Sequence, residues 1–131
     1  MTERPPATQP AWQGFGRRLG DAWAGVVALV RTQANARIHA VVTVIVVVAG
    51  LCFRISCGEW CAVILAMGLV WTAEGINTAI EAVVDLASPE IHPLAGKAKD
   101  VAAGAVLIAA MVSVLIGLLV FGPRVLGLFV R

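Results

Sequence analysis

The stretch WCAVILAMGLVWTAEGINTAIEAVVDLA, residues 60–87, decides the fold. Its first half reads as a lipid-embedded helix, and its second half keeps that character while admitting Glu74, Asn77, Glu81 and Asp85. Glu74, Asn77, Thr78, Glu81 and Asp85 are separated by three, one, three and four residues, so on a helix all five share one face. At 1.5 Å per residue, Glu74 lies about 21 Å inward of Trp60 and Glu81 about 31 Å, against a hydrocarbon thickness of about 30 Å. Glu74 is therefore submerged near the inner leaflet, and Glu81 stands at the cytoplasmic boundary. An unpaired carboxylate in hydrocarbon is costly, so this stripe must face protein, cations or water.

Working outward, two further stretches approach or reach the length of a membrane span, Ile38 to Phe53 and Val101 to Phe121. In a chain of 131 residues that is 60% hydrophobic and only 14% charged, they leave room for one all-α integral membrane domain. Segment boundaries follow from the pattern: a disordered, proline-bearing lead over residues 1–14, a surface helix over about 15–36, and spans over about 38–54, 59–87 and 93–121. Ser88, Pro89 and Pro93 end the second span and start the third. Arg4, Arg17, Arg18, Arg31, Arg37, Lys97 and Lys99 fall on one side of this arrangement, and Arg54, Arg124 and Arg131 on the other. The positive-inside bias predicts a cytoplasmic N-terminus and an external C-terminus. A net charge of +2, with no basic patch interleaved with aromatics, gives no support to a nucleic-acid partner.

Phe15, Leu19, Ala22, Val26, Val30 and Gln33 recur on one face of the first helix, opposite Arg17, Asp21, Arg31 and Asn35. That pattern predicts an amphipathic helix in the cytoplasmic interface, with Gln33 as the polar exception on its apolar face. Gln33 either snorkels to headgroups or turns toward a protein site. Cys52, Cys57 and Cys61 cluster at the external end; lacking His or carboxylate company, they read as small packing residues, with a disulfide not inferable. Gly96, Asp100 and Gly104, with Ala103 beside them, recur every four residues as a small-residue stripe that lets another helix approach.

Carboxylates at this depth can meet two kinds of reactant. A lipid hydroxyl resides in the headgroup region, one or two turns from Glu74. A soluble phosphate donor arrives from the cytoplasm and requires a divalent cation, which hard oxygens such as those of Glu81 hold, and a positive charge such as Lys99. Phosphoryl transfer depends mainly on positioning and charge neutralisation, which permits a small catalyst. No G-x-x-x-x-G-K-[ST] occurs, so a nucleotide site here is not of the P-loop kind. The same stripe admits two other readings: a proton-coupled transporter with Glu74 as its carboxylate, and a noncatalytic assembly subunit in which Lys99 merely neutralises a carboxylate.

The motifs E-x-x-N-T-A-I-E-x-x-x-D (Glu74 to Asp85), P-E-x-H-P-L-A-x-x-A-K-D (Pro89 to Asp100) and A-A-G-A-V-L (Ala102 to Leu107) stand in order. With them the chain resembles the prokaryotic diacylglycerol kinase and undecaprenol kinase family from about Phe15 to Phe121. The resemblance implies a homotrimer in the bacterial inner membrane, with composite sites between protomers, that phosphorylates a lipid from ATP with Mg²⁺. It implies that Glu74 is the general base, that Asn77 helps place the substrate, and that Glu81 holds Mg²⁺ and the ATP phosphates. Glu90, His92, Lys99 and Asp100 match the nucleotide-binding segment, and Asp85 an orienting or interfacial partner. Where the family usually offers a second metal-binding Glu on the surface helix, this chain has Gln33, whose amide oxygen can coordinate Mg²⁺ without bringing charge. The H-P-L-A and K-D-x-A-A-G-A-V-L forms look more like the undecaprenol kinases than the diacylglycerol kinases.

Overall fold

The structure is a computed structural model that describes residues 11–88, 90 and 92–130, with side chains from residue 14 onward. Four helices follow one another: α1 (Ala11–Thr32), α2 (Ala34–Cys52), α3 (Cys57–Ala87) and α4 (Pro93–Phe129). The last three are long and apolar enough to cross a membrane. Most of their large apolar side chains are exposed, as befits helices whose solvent is lipid. At 1.5 Å per residue, α3 is about 46 Å long and α4 about 55 Å, so each outruns a hydrocarbon layer of about 30 Å.

The break between α1 and α2 falls at Gln33, whereas the sequence pattern carries the surface helix on to about residue 36. Gln33 is extended (φ −97°, ψ 124°) and serves as the N-cap of α2 without a side-chain cap bond. Its N–H closes α1 on Leu29 O at 2.9 Å, and its carbonyl accepts from Arg37 N at 3.3 Å. Residues 11–14, assigned to the lead from sequence, are helical; the remainder of that expected disordered lead lies outside the described residues.

The α2–α3 turn is closed by backbone hydrogen bonds. Ile55 N donates to Gly50 O at 3.2 Å and Arg54 N to Leu51 O at 3.3 Å, with Arg54 left-handed at φ 50°. This paired closure satisfies carbonyls that the helix end would otherwise leave open. Ser56 then caps α3 reciprocally: Glu59 N donates to Ser56 Oγ at 3.4 Å, and Ser56 N donates to Glu59 Oε2 at 2.7 Å. Trp60, expected as an interfacial anchor, lies half-buried against α2. A Cβ on Gly50 would stand 2.7 Å from its Cη2, so glycine there permits the close approach. Ile55, Val63 and Val120 form the buried cluster around which Phe53, Trp60 and Phe121 pack.

α3 and α4 share the most extensive contact in the chain and form an antiparallel hairpin. Ser113 Oγ bridges them, reaching Ala66 O at 3.1 Å and Ala109 O at 2.8 Å. The last span, expected to end at about residue 121, continues through Pro123 to Phe129. The turn holding Pro123 is pinned by Arg124, whose two Nη atoms donate to Glu59 Oε1 and Oε2, each at 2.8 Å. Glu59→Ala removes both the capping carboxylate and the partner of a half-buried guanidinium. The expected loss of stability is read as a lower midpoint of thermal unfolding in detergent. An unchanged midpoint would show that α4 is held without this pair.

Cys52, Cys57 and Cys61 are all exposed and free, so the reading that made them packing residues within the chain is not what the structure shows. Gly96 and Gly104 likewise face open space, and no helix of this chain occupies the small-residue stripe among the described residues.

Candidate active site

The polar stripe sits on the C-terminal half of α3. Glu74 is 1% exposed and Asn77 6%, the two buried polar residues among those described. Asn77 Nδ2 donates to Glu81 Oε1 at 3.0 Å, one turn along the same face. This bond orients the Glu81 carboxylate and leaves its Oε2 free. Three side-chain atoms of the stripe are buried with no partner: Glu74 Oε2, Asn77 Oδ1 and Thr78 Oγ1. Buried polar atoms are normally hydrogen-bonded, and three orphans within five residues mark a place built for something further.

Asp85, one turn beyond Glu81, receives Lys99 Nζ from α4 at 2.5 Å. The side chains are 67% and 37% exposed respectively, near the α3–α4 connection. Among the described residues Lys99 makes no ion pair with Glu81, Glu90 or Asp100. Glu90, His92 and Asp100 are exposed around the α3–α4 connection. His92 is the N-cap of α4: its Nδ1 accepts from Leu94 N at 3.2 Å, with Pro93 in the first helical turn. The ring is thereby held in place at Nδ1.

The elbow of α1 and α2 at Gln33 follows a contact of α1 with α3. Leu29 of α1 packs 3.9 Å from where a Cβ on Gly75 would stand, beside Glu74, and half-buried Gln33 follows one turn later. Ala36, in the first turn of α2, is fully buried at the same elbow. Among the described residues, no three His, Cys, Asp or Glu side chains converge as a ready metal cage. Magnesium that arrives with a nucleotide does not need one, since one or two carboxylates with phosphate oxygens and water complete its shell. The free oxygen of Glu81 suits that role, and the amide of Gln33 is a neutral oxygen of the same hardness.

Beside the stripe, α2, α3 and α4 enclose an open apolar cavity of about 350 Å³. It extends from Phe121 and Val63 near the turn to His39 and Trp71, and Trp71 lies one turn from Glu74. Trp71 Nε1 donates to Thr43 Oγ1 at 3.0 Å, which fixes the indole at that end. The cavity was not foreseen from sequence, because no residue pattern announces where α2 and α4 part. Thr78 was placed on the shared face from sequence without a role; its buried, unpartnered hydroxyl is what the structure adds.

Comparison with known proteins gives the family. Residues 20–121 match the family described as prokaryotic diacylglycerol kinase. The chain is 41% identical to the undecaprenol kinase of Bacillus subtilis over 110 residues, covering 84% of this chain and 89% of that one. It is 39% identical to a diacylglycerol kinase of Synechocystis sp. over 131 residues, covering 97% and 75%. To the diacylglycerol kinase of Escherichia coli K12 it is 36% identical over 105 residues, covering 78% and 86%. On the strength of that coverage, the chain belongs to the prokaryotic diacylglycerol kinase family and is a membrane lipid kinase.

Proposed function

We propose that the protein transfers the γ-phosphoryl group of ATP, supplied as its magnesium complex, to the hydroxyl of undecaprenol, with diacylglycerol as the second candidate. The observation that carries this reading is Glu74: a carboxylate 1% exposed, on a helix long and apolar enough to span, with Oε2 lacking a hydrogen-bond partner among the described residues. A base in that position takes the proton of an alcohol whose tail remains in the bilayer. The alcohol oxygen then forms its bond to the γ-phosphorus, and the bond from that phosphorus to the bridging oxygen breaks as ADP leaves. Burial of Glu74 keeps water from competing for the phosphoryl group.

Asn77 places the substrate while holding Glu81, and Glu81 with Gln33 supplies oxygens toward the metal. Magnesium, when bound with ATP, neutralises phosphate charge. Lys99 adds a positive charge against the same phosphates, and Glu90, His92 and Asp100 border the nucleotide at the α3–α4 connection. The apolar cavity ending at Trp71 supports a lipid acceptor, since a tail leaving the Glu74 hydroxyl position has an apolar path outward. The relatives' names include both an undecaprenol kinase and diacylglycerol kinases. Family membership favours catalysis over the transporter and assembly alternatives.

Orientation and assembly belong to the same proposal. The N-terminus and the α3–α4 connection face the cytoplasm of a bacterial inner membrane, and α1 lies along that interface. Supporting this, Phe15, Leu19, Trp23 and Val26 are exposed on α1 among the described residues. The active unit is a homotrimer. Orphaned atoms at Glu74 and Asn77, together with the uncovered stripe at Gly96 and Gly104, favour a neighbouring copy at the site.

The test is a lipid panel. Purified protein in mixed micelles, given labelled ATP and Mg²⁺, is expected to phosphorylate undecaprenol with a higher kcat/KM than diacylglycerol or ceramide. A preference for diacylglycerol would overturn the polyprenol assignment.

A further inference from the structure

We propose that Thr78 binds the substrate, donating a hydrogen bond from its hydroxyl to the oxygen of the lipid alcohol while that alcohol's own hydrogen is directed to Glu74. The inference rests on the lipid-kinase reading of the site and deepens it. Thr78 Oγ1 is buried and has no partner. In a helix, a serine or threonine hydroxyl ordinarily satisfies itself on the carbonyl four residues back. This chain follows that habit elsewhere: Thr32 Oγ1 donates to Ala28 O at 2.9 Å, and Ser113 Oγ to Ala109 O at 2.8 Å. Thr43 is satisfied differently, accepting from Trp71 Nε1 at 3.0 Å. Thr78 does neither, although the backbone of α3 continues regularly through it.

The three orphaned atoms also differ in what they can do. Glu74 Oε2 and Asn77 Oδ1 only accept, and the Asn77 amide nitrogen already donates to Glu81. Thr78 Oγ1 is the one orphan that carries a hydrogen. An alcohol is the complement of this set: one hydrogen to give to an acceptor, and lone pairs to receive a donor. Glu74 and Thr78 are four residues apart, neighbours on one helix face with Cβ atoms about 5–6 Å apart, a span that a single hydroxyl oxygen can bridge. An ester carbonyl would engage Thr78 alone and leave Glu74 without a donor. Thr78 keeps its proton throughout the reaction. Its hydrogen bond orients the alcohol oxygen, so that the lone pair released by proton transfer to Glu74 points at the phosphorus.

Thr78→Val removes the hydroxyl at nearly constant shape, and Thr78→Ser keeps it. Initial rates are measured with undecaprenol and MgATP varied in turn. For Thr78→Val, kcat/KM for the lipid is expected to fall about 10-fold, with KM for ATP unchanged within about twofold. Thr78→Ser is expected to recover most of that loss. Thr78→Ala, which lacks the hydroxyl without adding a second methyl, is expected to match valine and guards against a packing defect in one variant. Wild-type lipid kinetics in Thr78→Val would overturn the assignment. So would a Thr78→Ser enzyme as impaired as the valine variant, or a loss confined to KM for ATP. Wild-type protein that phosphorylates no lipid alcohol would overturn the underlying reading as well, which separates the two failures.

Discussion

Glu74→Gln is expected to lower kcat for lipid phosphorylation by about 10²- to 10⁴-fold, the range for removing a positioned general base, while KM for MgATP stays within about threefold. Glutamine fits the same space and keeps an oxygen where Oε2 now lies buried and unpartnered. It does not accept the alcohol's proton. Because Glu81 is held by Asn77 rather than by Glu74, the nucleotide side of the stripe survives the change. Relief of a buried carboxylate should also leave the fold at least as stable, so a large kinetic loss accompanied by an undiminished unfolding midpoint is the expected pair of results. If activity and stability fell together, Glu74 would be a packing residue. If KM for ATP rose steeply, it would belong to the nucleotide side.

The second large effect separates Lys99 from the residue it touches. Lys99→Met is expected to lower kcat/KM for MgATP about 10²-fold, since a charge-assisted contact to phosphate is worth about 1.5–3 kcal/mol. Asp85→Asn is expected to change it by no more than about fivefold. An exposed ion pair contributes only about 0.2–1 kcal/mol, and the Asp85 side chain is 67% exposed. On the proposed reading, the exposed Asp85 contact leaves the Lys99 ammonium available to a nucleotide phosphate. A pair that served only to join α3 to α4 would give the opposite pattern, with equal losses from either side and no selectivity for nucleotide. Initial-rate kinetics on both variants, with ATP varied at saturating lipid, decides between these outcomes.

How far the site could be read from sequence depended on the range of each interaction. The stripe from Glu74 to Asp85 was legible because its spacing is local and its polarity contradicts an apolar span. The meeting of Lys99 with Asp85 was legible only as a shared depth; their contact needed the hairpin. The elbow at Gln33 was missed because Arg31 to Arg37 contains neither glycine nor proline and both flanks favour helix. The extended backbone there is set by packing, with Leu29 against Gly75 and Ala36 buried beyond it. The last helix also runs past its expected end near residue 121, through the turn holding Pro123 to Phe129. The bond from Arg124 to Glu59, 65 residues apart, belongs to tertiary structure and holds that turn. Cysteines that look like packing material in a list of residues turned out to line an outer face.

Phosphoryl transfer itself remains the most direct test. Protein reconstituted in bilayer vesicles is given γ-labelled ATP, Mg²⁺ and undecaprenol, and label is followed into the lipid and into free phosphate. The account predicts label in the lipid phosphate, one equivalent of ADP for each, and little free phosphate, because a buried Glu74 serves an alcohol that arrives from the bilayer. Label released as free phosphate in place of lipid product, or equal lipid labelling by wild type and Glu74→Gln, would contradict it.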